Sequence, residues 1–181
     1  MSDSTQSRKT ILYIACSLDG YIAQPNDDLS FLSQVQKEGE DYGYNEFLQR
    51  IDTVIMGRRT YDWVMNQVEV FPHEDLETFI ISRTDRPSKG HLKFYSGDLK
   101  KLITELKNKK GKNIFIDGGA QIVHELLNEK LIDEIILSII PVLVGDGIPL
   151  FKNGRPQQGL KLIHCQSYEK GLIQLYYRCL P

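Results

Sequence analysis

Apolar residues in this chain cluster in short continuous runs, each closed by glycine or by a basic polar stretch, and helical spacing begins only after those closures. The clearest case is Asn113 to Leu127. Ile114, Phe115 and Ile116 form an apolar run of central-strand character, whereas Ile122, Val123, Leu126 and Leu127 recur as one helical face. A buried strand turning through Gly118 and Gly119 into an amphipathic helix is predicted. The free N–H groups at such a helix start favour an anion, and residues without side chains let a ligand approach closely. A plain tight turn accounts for the same two glycines equally well.

Other runs extend the pattern. Thr10 to Cys16 predicts a first strand buried on both faces, ending in Ser17-Leu18-Asp19-Gly20 and Tyr21-Ile22-Ala23 before the turn Gln24 to Asp28. A short helix is expected over Leu29 to Glu40, with Leu32 and Val35 as its apolar points, and a second over Glu46 to Arg50, capped by Asn45. Asp52 to Gly57 predicts a strand that runs into Arg58-Arg59-Thr60 and a helix, with Thr60 as N-cap or as a hydroxyl donor to a phosphate. Two arginines at a strand's carboxyl end favour an anionic ligand over idle solvated charge. Glu77 to Ser82 is a third buried strand, followed by the basic loop Arg83 to Pro87. Lys93 to Ser96 reads as a short edge strand, and Leu99 to Lys109 as a surface helix with a solvated lysine face. Ile132 to Ile140 predicts a long strand and Pro141 to Phe151 a turn-rich excursion. Leu160 to Ser167 and Leu172 to Arg178 predict a hairpin around Tyr168 to Gly171. Strands alternating with helices before a terminal hairpin imply an α/β fold, its sheet mostly parallel with an antiparallel edge.

Composition narrows the class. A length of 181 residues suits one domain, here residues 10–181 behind a polar tail of residues 1–9. No apolar run approaches the roughly 20 residues that cross a bilayer, and the polar start lacks a signal-peptide core, so a cytoplasmic protein without a membrane partner is expected. Cys16, Cys165 and Cys179 are an odd set without metal spacing and predict buried reduced thiols. His73, His91, His124 and His164 stand singly, and no metal site is expected. A net charge of -2 gives no general attraction to nucleic acid. The apolar residues of Pro141 to Phe151 form an irregular patch that would suit a homodimer interface, although packing within the domain explains them as well.

Ser17 to Ala23, Asp52 to Thr60, Ile116 to Ala120, and Asp133-Glu134 with Pro141 to Phe151 follow one another in the order of the dihydrofolate reductase superfamily. The chain resembles especially the branch shared with the reductase domain of the bifunctional riboflavin-biosynthesis deaminase/reductase, from Ile11 to Arg178. The resemblance implies a dihydrofolate reductase-like three-layer α/β/α fold with about eight strands. It also implies an oxidoreductase that takes hydride from NADPH to a pyrimidine- or pterin-like small-molecule substrate. Gly57, Arg58, Arg59 and Thr60 match the segment that holds the cofactor phosphates; Ser82, Arg83 and Thr84 match the loop beside the adenosine 2′-phosphate. Gly118, Gly119, Ala120, Gln121 and Ile122 match the turn under the pyrophosphate, with a cis Gly118–Gly119 peptide expected, and Ala15 and Ile22 match positions flanking the nicotinamide. Guanidinium groups favour NADPH over NADH. The substrate half departs from both precedents. Asp27 and Asp28 precede the helix on which folate-reducing members keep their acid, and the apolar Leu29 to Leu32 stretch stands where riboflavin-pathway members contact a ribose phosphate. Asp19 is the first candidate for a catalytic or substrate-orienting group, with Asp27 or Asp28 second. A non-catalytic dinucleotide-binding module of the same fold is the alternative.

Overall fold

Alternating side chains set the centre of the sheet. In the first strand, β1 (Thr10–Ser17), Leu12 and Cys16 point into one apolar core and Ile11 and Tyr13 into another on the opposite face. In the computed structural model, which describes residues 7–181, β1 lies between two parallel neighbours, β6 (Asn113–Gly118) and β7 (Glu134–Ile140). Beyond β6 follow β3 (Ile51–Gly57), β4 (Glu77–Ile81) and β5 (Leu92–Tyr95), all parallel. Beyond β7 the sheet turns antiparallel through β10 (Ile173–Cys179) to β9 (Leu160–Ser167). The order is β5-β4-β3-β6-β1-β7-β10-β9, an eight-stranded mixed sheet. A separate small ribbon pairs β2 (Tyr21–Ala23) with β8 (Ile148–Pro149).

One face is covered by α3 (Leu99–Lys107) and α4 (Ala120–Asn128), whose Leu102, Ile103, Leu106, Val123 and Leu126 pack on Leu12, Ile55, Ile114 and Ile116. Spacing of three and four residues in both helices makes those stripes continuous. The other face is covered by α1 (Tyr44–Leu48), through Phe47, and by a 3₁₀ helix, Ser30–Val35, through Phe31 and Val35. From the end of β3 runs α2 (Arg58–Met65), and its Tyr61 meets Phe71 and Phe94.

Several expected elements shift. The helix expected over Leu29 to Glu40 shrinks to the 3₁₀ turn, since only Phe31 and Val35 are buried there. Asn45 does not cap α1; the helix starts at Tyr44 behind left-handed Gly43 (φ 80), and the Asp41 carboxylate accepts from the N–H groups of Gly43 and Asn45. Thr60 is the third residue of α2 rather than its cap. The polar tail is shorter than expected. Arg8 is buried and donates to the carbonyls of Leu106 and Lys112 and to Asp52 and Thr53, while Lys9 pairs with Glu134 at 2.6 Å. Residues 1–6, the rest of that tail, lie outside the described residues. Of the three cysteines only Cys16 is buried; Cys165 is exposed, because the whole of β9 is. The large apolar residues of Pro141 to Phe151 mostly pack inward. Leu150 is buried, Val142 and Val144 join the core around Phe31, and Leu143 alone of its apolar residues is widely exposed. Among the described residues no helix is long and apolar enough to cross a membrane.

Candidate functional site

The parallel strands β1, β3, β4 and β6 all end on the same edge of the sheet, where α/β folds place their ligands. A cleft of about 1020 Å³ opens there, at the top of the roughly 300–1,000 Å³ range of ligand sites. Its lining includes Ala15, Ile22, Gly57, Arg58, Arg59, Thr60, Ser82, Arg83, Thr84, Gly119, Ala120, Gln121 and Ile122, thus every expected cofactor contact except Gly118.

Register explains why those turns meet. Met56 of β3 pairs with Gly118 of β6, so the turn before α2 and the turn before α4 lie back to back. A methyl group placed on Gly119 would come within 3.3 Å of the Thr60 hydroxyl, and one on Gly57 within 3.4 Å of Ile122. Gly118 (φ 117) and Gly119 (φ 88) both take positive φ, which turns the strand into α4 at little steric cost. The expected cis bond is not found: no peptide among the described residues is cis, and the change of direction that it would have supplied is made by those two φ angles. Nearby, buried Ser82 donates to the Thr84 carbonyl (2.8 Å) and accepts from its N–H (3.2 Å), which orders the basic loop after β4.

The cations of the cleft all stand at this end. Arg58 and Arg86 share Asp62, Lys152 donates to Gln121 at the start of α4 (2.8 Å), and Arg59 pairs with Asp27 at 2.7 Å. Such exposed pairs are worth little on their own, so an incoming phosphate can take over the guanidinium groups at small cost.

The three candidate carboxylates separate. Asp19 is absent from the cleft lining; it accepts from the Ser17 hydroxyl (2.6 Å) and the N–H groups of Val144 (3.2 Å) and Gly145 (2.8 Å), and these bonds hold its carboxyl below the usual range. It fastens the 141–151 segment to the end of β1. Asp28 accepts from the Ser30 N–H and hydroxyl, ordering the start of the 3₁₀ helix, and is also outside the lining. Only Asp27 lines the cleft, and there it neutralises Arg59.

A different acid occupies the other end. Strand alternation puts Asp117 on the same face of β6 as Phe115, toward Tyr13 of β1 and Tyr44 of α1. The rings of Tyr13, Tyr44 and Phe115 stand 5.5 to 6.4 Å apart and, with Leu29 and Leu32, wall this end. Asp117 is 23% exposed, and Nε2 of buried His73 lies 3.6 Å from its Oδ2 and 3.5 Å from the Tyr44 hydroxyl. Burial raises the Asp117 carboxyl above its ordinary range, with His73 partly offsetting the shift. Burial likewise pushes Tyr13 up to about 12 and raises Tyr44, so both phenols keep their protons. The His73 Nδ1 atom has no hydrogen-bond partner among the described residues. This cluster can hold a proton beside an aromatic slot. The period of β6 alone places Asp117 beside Phe115, whereas the approach of His73 is a tertiary contact without a local sequence signal.

Comparison with known proteins bears on the fold and the family. The chain is 39% identical over 171 residues to the uncharacterized protein YwjB of Bacillus subtilis, covering 94% of this chain and 97% of that one. A crystal structure from Shewanella sp. PV-4, of a protein that carries a riboflavin-biosynthesis name, superposes with a TM-score of 0.86 at 30% identity, covering 96% of this chain and 99% of that one. The deaminase/5-amino-6-(5-phosphoribosylamino)uracil reductase of Thermotoga maritima shares the fold (TM-score 0.71, 14% identity), with 96% of this chain matching 57% of that one. A shorter match, 36% identity over 69 residues, is to the 2,5-diamino-6-ribosylamino-4(3H)-pyrimidinone 5′-phosphate reductase of Aquifex aeolicus, covering 37% of this chain and 31% of that one. The sequence profile of the RibD C-terminal domain matches residues 8–174, and the chain belongs to that family, which is related to the reductases of the riboflavin pathway.

Proposed function

We propose that this protein is an NADPH-dependent oxidoreductase that reduces a pyrimidine- or pterin-like heterocycle. The observation that carries the reading is the polarity of one cleft: arginines and glycine turns at one end, a protonatable carboxyl among aromatic rings at the other.

The donor set suits a phosphorylated dinucleotide. Arg58, Arg59, Arg83 and Arg86 offer planar forks for phosphate oxygens, and the side-chain-free Gly57 and Gly119 admit the pyrophosphate to the first-turn N–H groups of α4. Ala15 and Ile22, small and apolar, would flank the nicotinamide. When bound, the cofactor would supply the hydride; the chain's own task is to orient, desolvate and manage protons. Asp117 accepts hydrogen bonds from N–H groups of a heterocycle when ionised and donates a proton to a ring nitrogen when neutral, while His73, its Nε2 3.6 Å from the carboxyl and 3.5 Å from the Tyr44 hydroxyl, flanks it. Tyr13 contributes its ring, since its hydroxyl donates to the Tyr42 carbonyl at 2.9 Å.

The test is titration of the purified protein with NADPH and NADH, followed by cofactor oxidation against a panel of pterins and ribosylaminopyrimidines. Tighter binding of NADPH and turnover of at least one panel member is the expected result. Binding without turnover of any member would favour the non-catalytic alternative.

A further inference from the structure

We infer that the substrate carries no phosphate ester: it is an unphosphorylated planar heterocycle that presents N–H donors to Asp117. The inference rests on the reductase reading and goes beyond it. Both reductases named above for their substrates act on 5′-phosphates or phosphoribosyl compounds.

The argument is one of charge placement along the cleft. A phosphate ester taken out of bulk water needs cations or several N–H donors, or its desolvation is uncompensated. The cationic side chains lining the cleft, among the described residues, are Arg58, Arg59, Arg83, Arg86 and Lys152. Arg58 and Arg59 open α2, Arg83 and Arg86 sit in the loop after β4, and Lys152 is bonded to Gln121 at the start of α4. All five therefore stand around the glycine turns, where the cofactor's own phosphates require them. The other end is built from β1, α1, the end of β6 and the Leu29 to Leu32 stretch, and its lining residues are Tyr13, Tyr44, Phe115, Asp117, Leu29 and Leu32. Its one ionisable group of low ordinary pKa is a carboxyl, which repels a phosphate when charged. Arg59 reaches toward this side through its exposed pair with Asp27, and on the reductase reading it is the cofactor's phosphate, not the substrate, that takes this guanidinium along with Arg58.

The same features select what does fit. The rings of Tyr13, Tyr44 and Phe115, packed edge to face on one another at 5.5 to 6.4 Å, form one wall of a slot along which a flat aromatic ligand can lie. A carboxylate at its floor accepts paired N–H groups, as from an aminopyrimidine edge.

The experiment compares matched pairs, a ribosylaminopyrimidine and its 5′-phosphate, by calorimetric titration into protein saturated with NADP⁺, after cofactor binding has been measured separately. The unphosphorylated member should bind at least about tenfold more tightly, a difference of roughly 1.4 kcal/mol. Asp117→Asn should weaken that binding by about tenfold or more and leave NADP⁺ affinity unchanged. Leu32→Arg, which places a cation at the slot, should recover the phosphorylated ligand at least about tenfold. Equal or tighter binding of the 5′-phosphate by the wild type, or no binding of either member while NADP⁺ binds, overturns the inference. Failure of NADP⁺ and NADPH to bind is a separate result that overturns the reductase reading itself.

Discussion

Asp117 carries the chemistry at the scale of single residues, and its environment couples function to stability. Burial raises its carboxyl, so the folded protein binds that proton more tightly than the unfolded chain does. The sign follows directly. Below about pH 4 the group is neutral in both states and costs nothing. As pH rises from the unfolded value to the raised folded one, stability falls, because over that interval the native state holds more protons than the unfolded one; above it the partly buried carboxylate carries the full cost. Asp117→Asn should therefore gain in thermal stability relative to the wild type as pH rises from 4 to 7. The same variant should lose about 100-fold or more in kcat/KM, the low end of what a positioned acid contributes. Unfolding curves across that pH range together with steady-state rates check both halves; a stability difference that shrinks with rising pH would contradict the account. The residue was hard to read from sequence because an aspartate before two glycines resembles any turn former, and Asp19, beside Gly20, resembled it equally. Only the contacts separate them: Asp19 spends its oxygens on Ser17, Val144 and Gly145, whereas Asp117 faces the cleft.

At the scale of elements, the two strand-to-helix junctions were the most legible part of the site, since a buried run, glycine and then helical spacing specify a geometry whatever the partner. Their adjacency was not legible, because it depends on the Met56–Gly118 register between strands distant in sequence. Two predictions belong here. Gly119→Ala places a side chain at φ 88 and brings a methyl within 3.3 Å of the Thr60 hydroxyl. A left-handed alanine costs roughly 1–2 kcal/mol of folding stability. The methyl also narrows the approach to the first turn of α4, so NADPH affinity should fall by more than that amount. Denaturant unfolding beside cofactor titration separates the two effects, and normal NADPH affinity would remove this turn from the site. Arg58 opens α2 and Arg83 lies in the loop after β4, both on the cleft lining. One charge-assisted hydrogen bond is worth about 1.5–3 kcal/mol, so Arg58→Ala or Arg83→Ala should weaken NADPH binding by roughly 10- to 100-fold and NADH binding less. Equal wild-type affinity for the two cofactors would refute the preference.

At the scale of the whole molecule, the sequence pattern yielded the α/β class and the terminal hairpin, because period two and period 3.6 alternate cleanly. It left open which edge of the sheet stays uncovered, since that depends on strand order. The order ends in β9, all eight of whose residues are exposed, with Leu160, Leu162 and Ile163 between 43% and 50% accessible. A long uncovered edge strand with unpaired backbone groups is a template for another strand, and proteins usually blunt it with charge or cover it. Here Lys161 is the only residue of β9 that is charged throughout the neutral range. A bulge at Ile163, where the pairing with β10 skips a residue, twists the strand locally but leaves Leu160 and Leu162 in view. A second copy is the partner that an antiparallel edge fits, since a two-fold axis brings such a strand against itself with every contact made twice. We therefore expect a homodimer formed through β9, and not through the 141–151 segment, whose apolar residues are mostly turned inward. Light scattering at micromolar concentration should give twice the chain mass. Leu162→Lys, on a strand remote from the cleft lining, should shift the protein to monomer while leaving NADPH affinity intact, whereas Leu143→Lys should not change the mass. A wild-type monomer, or a dimer indifferent to Leu162→Lys, would show that this edge is left to solvent.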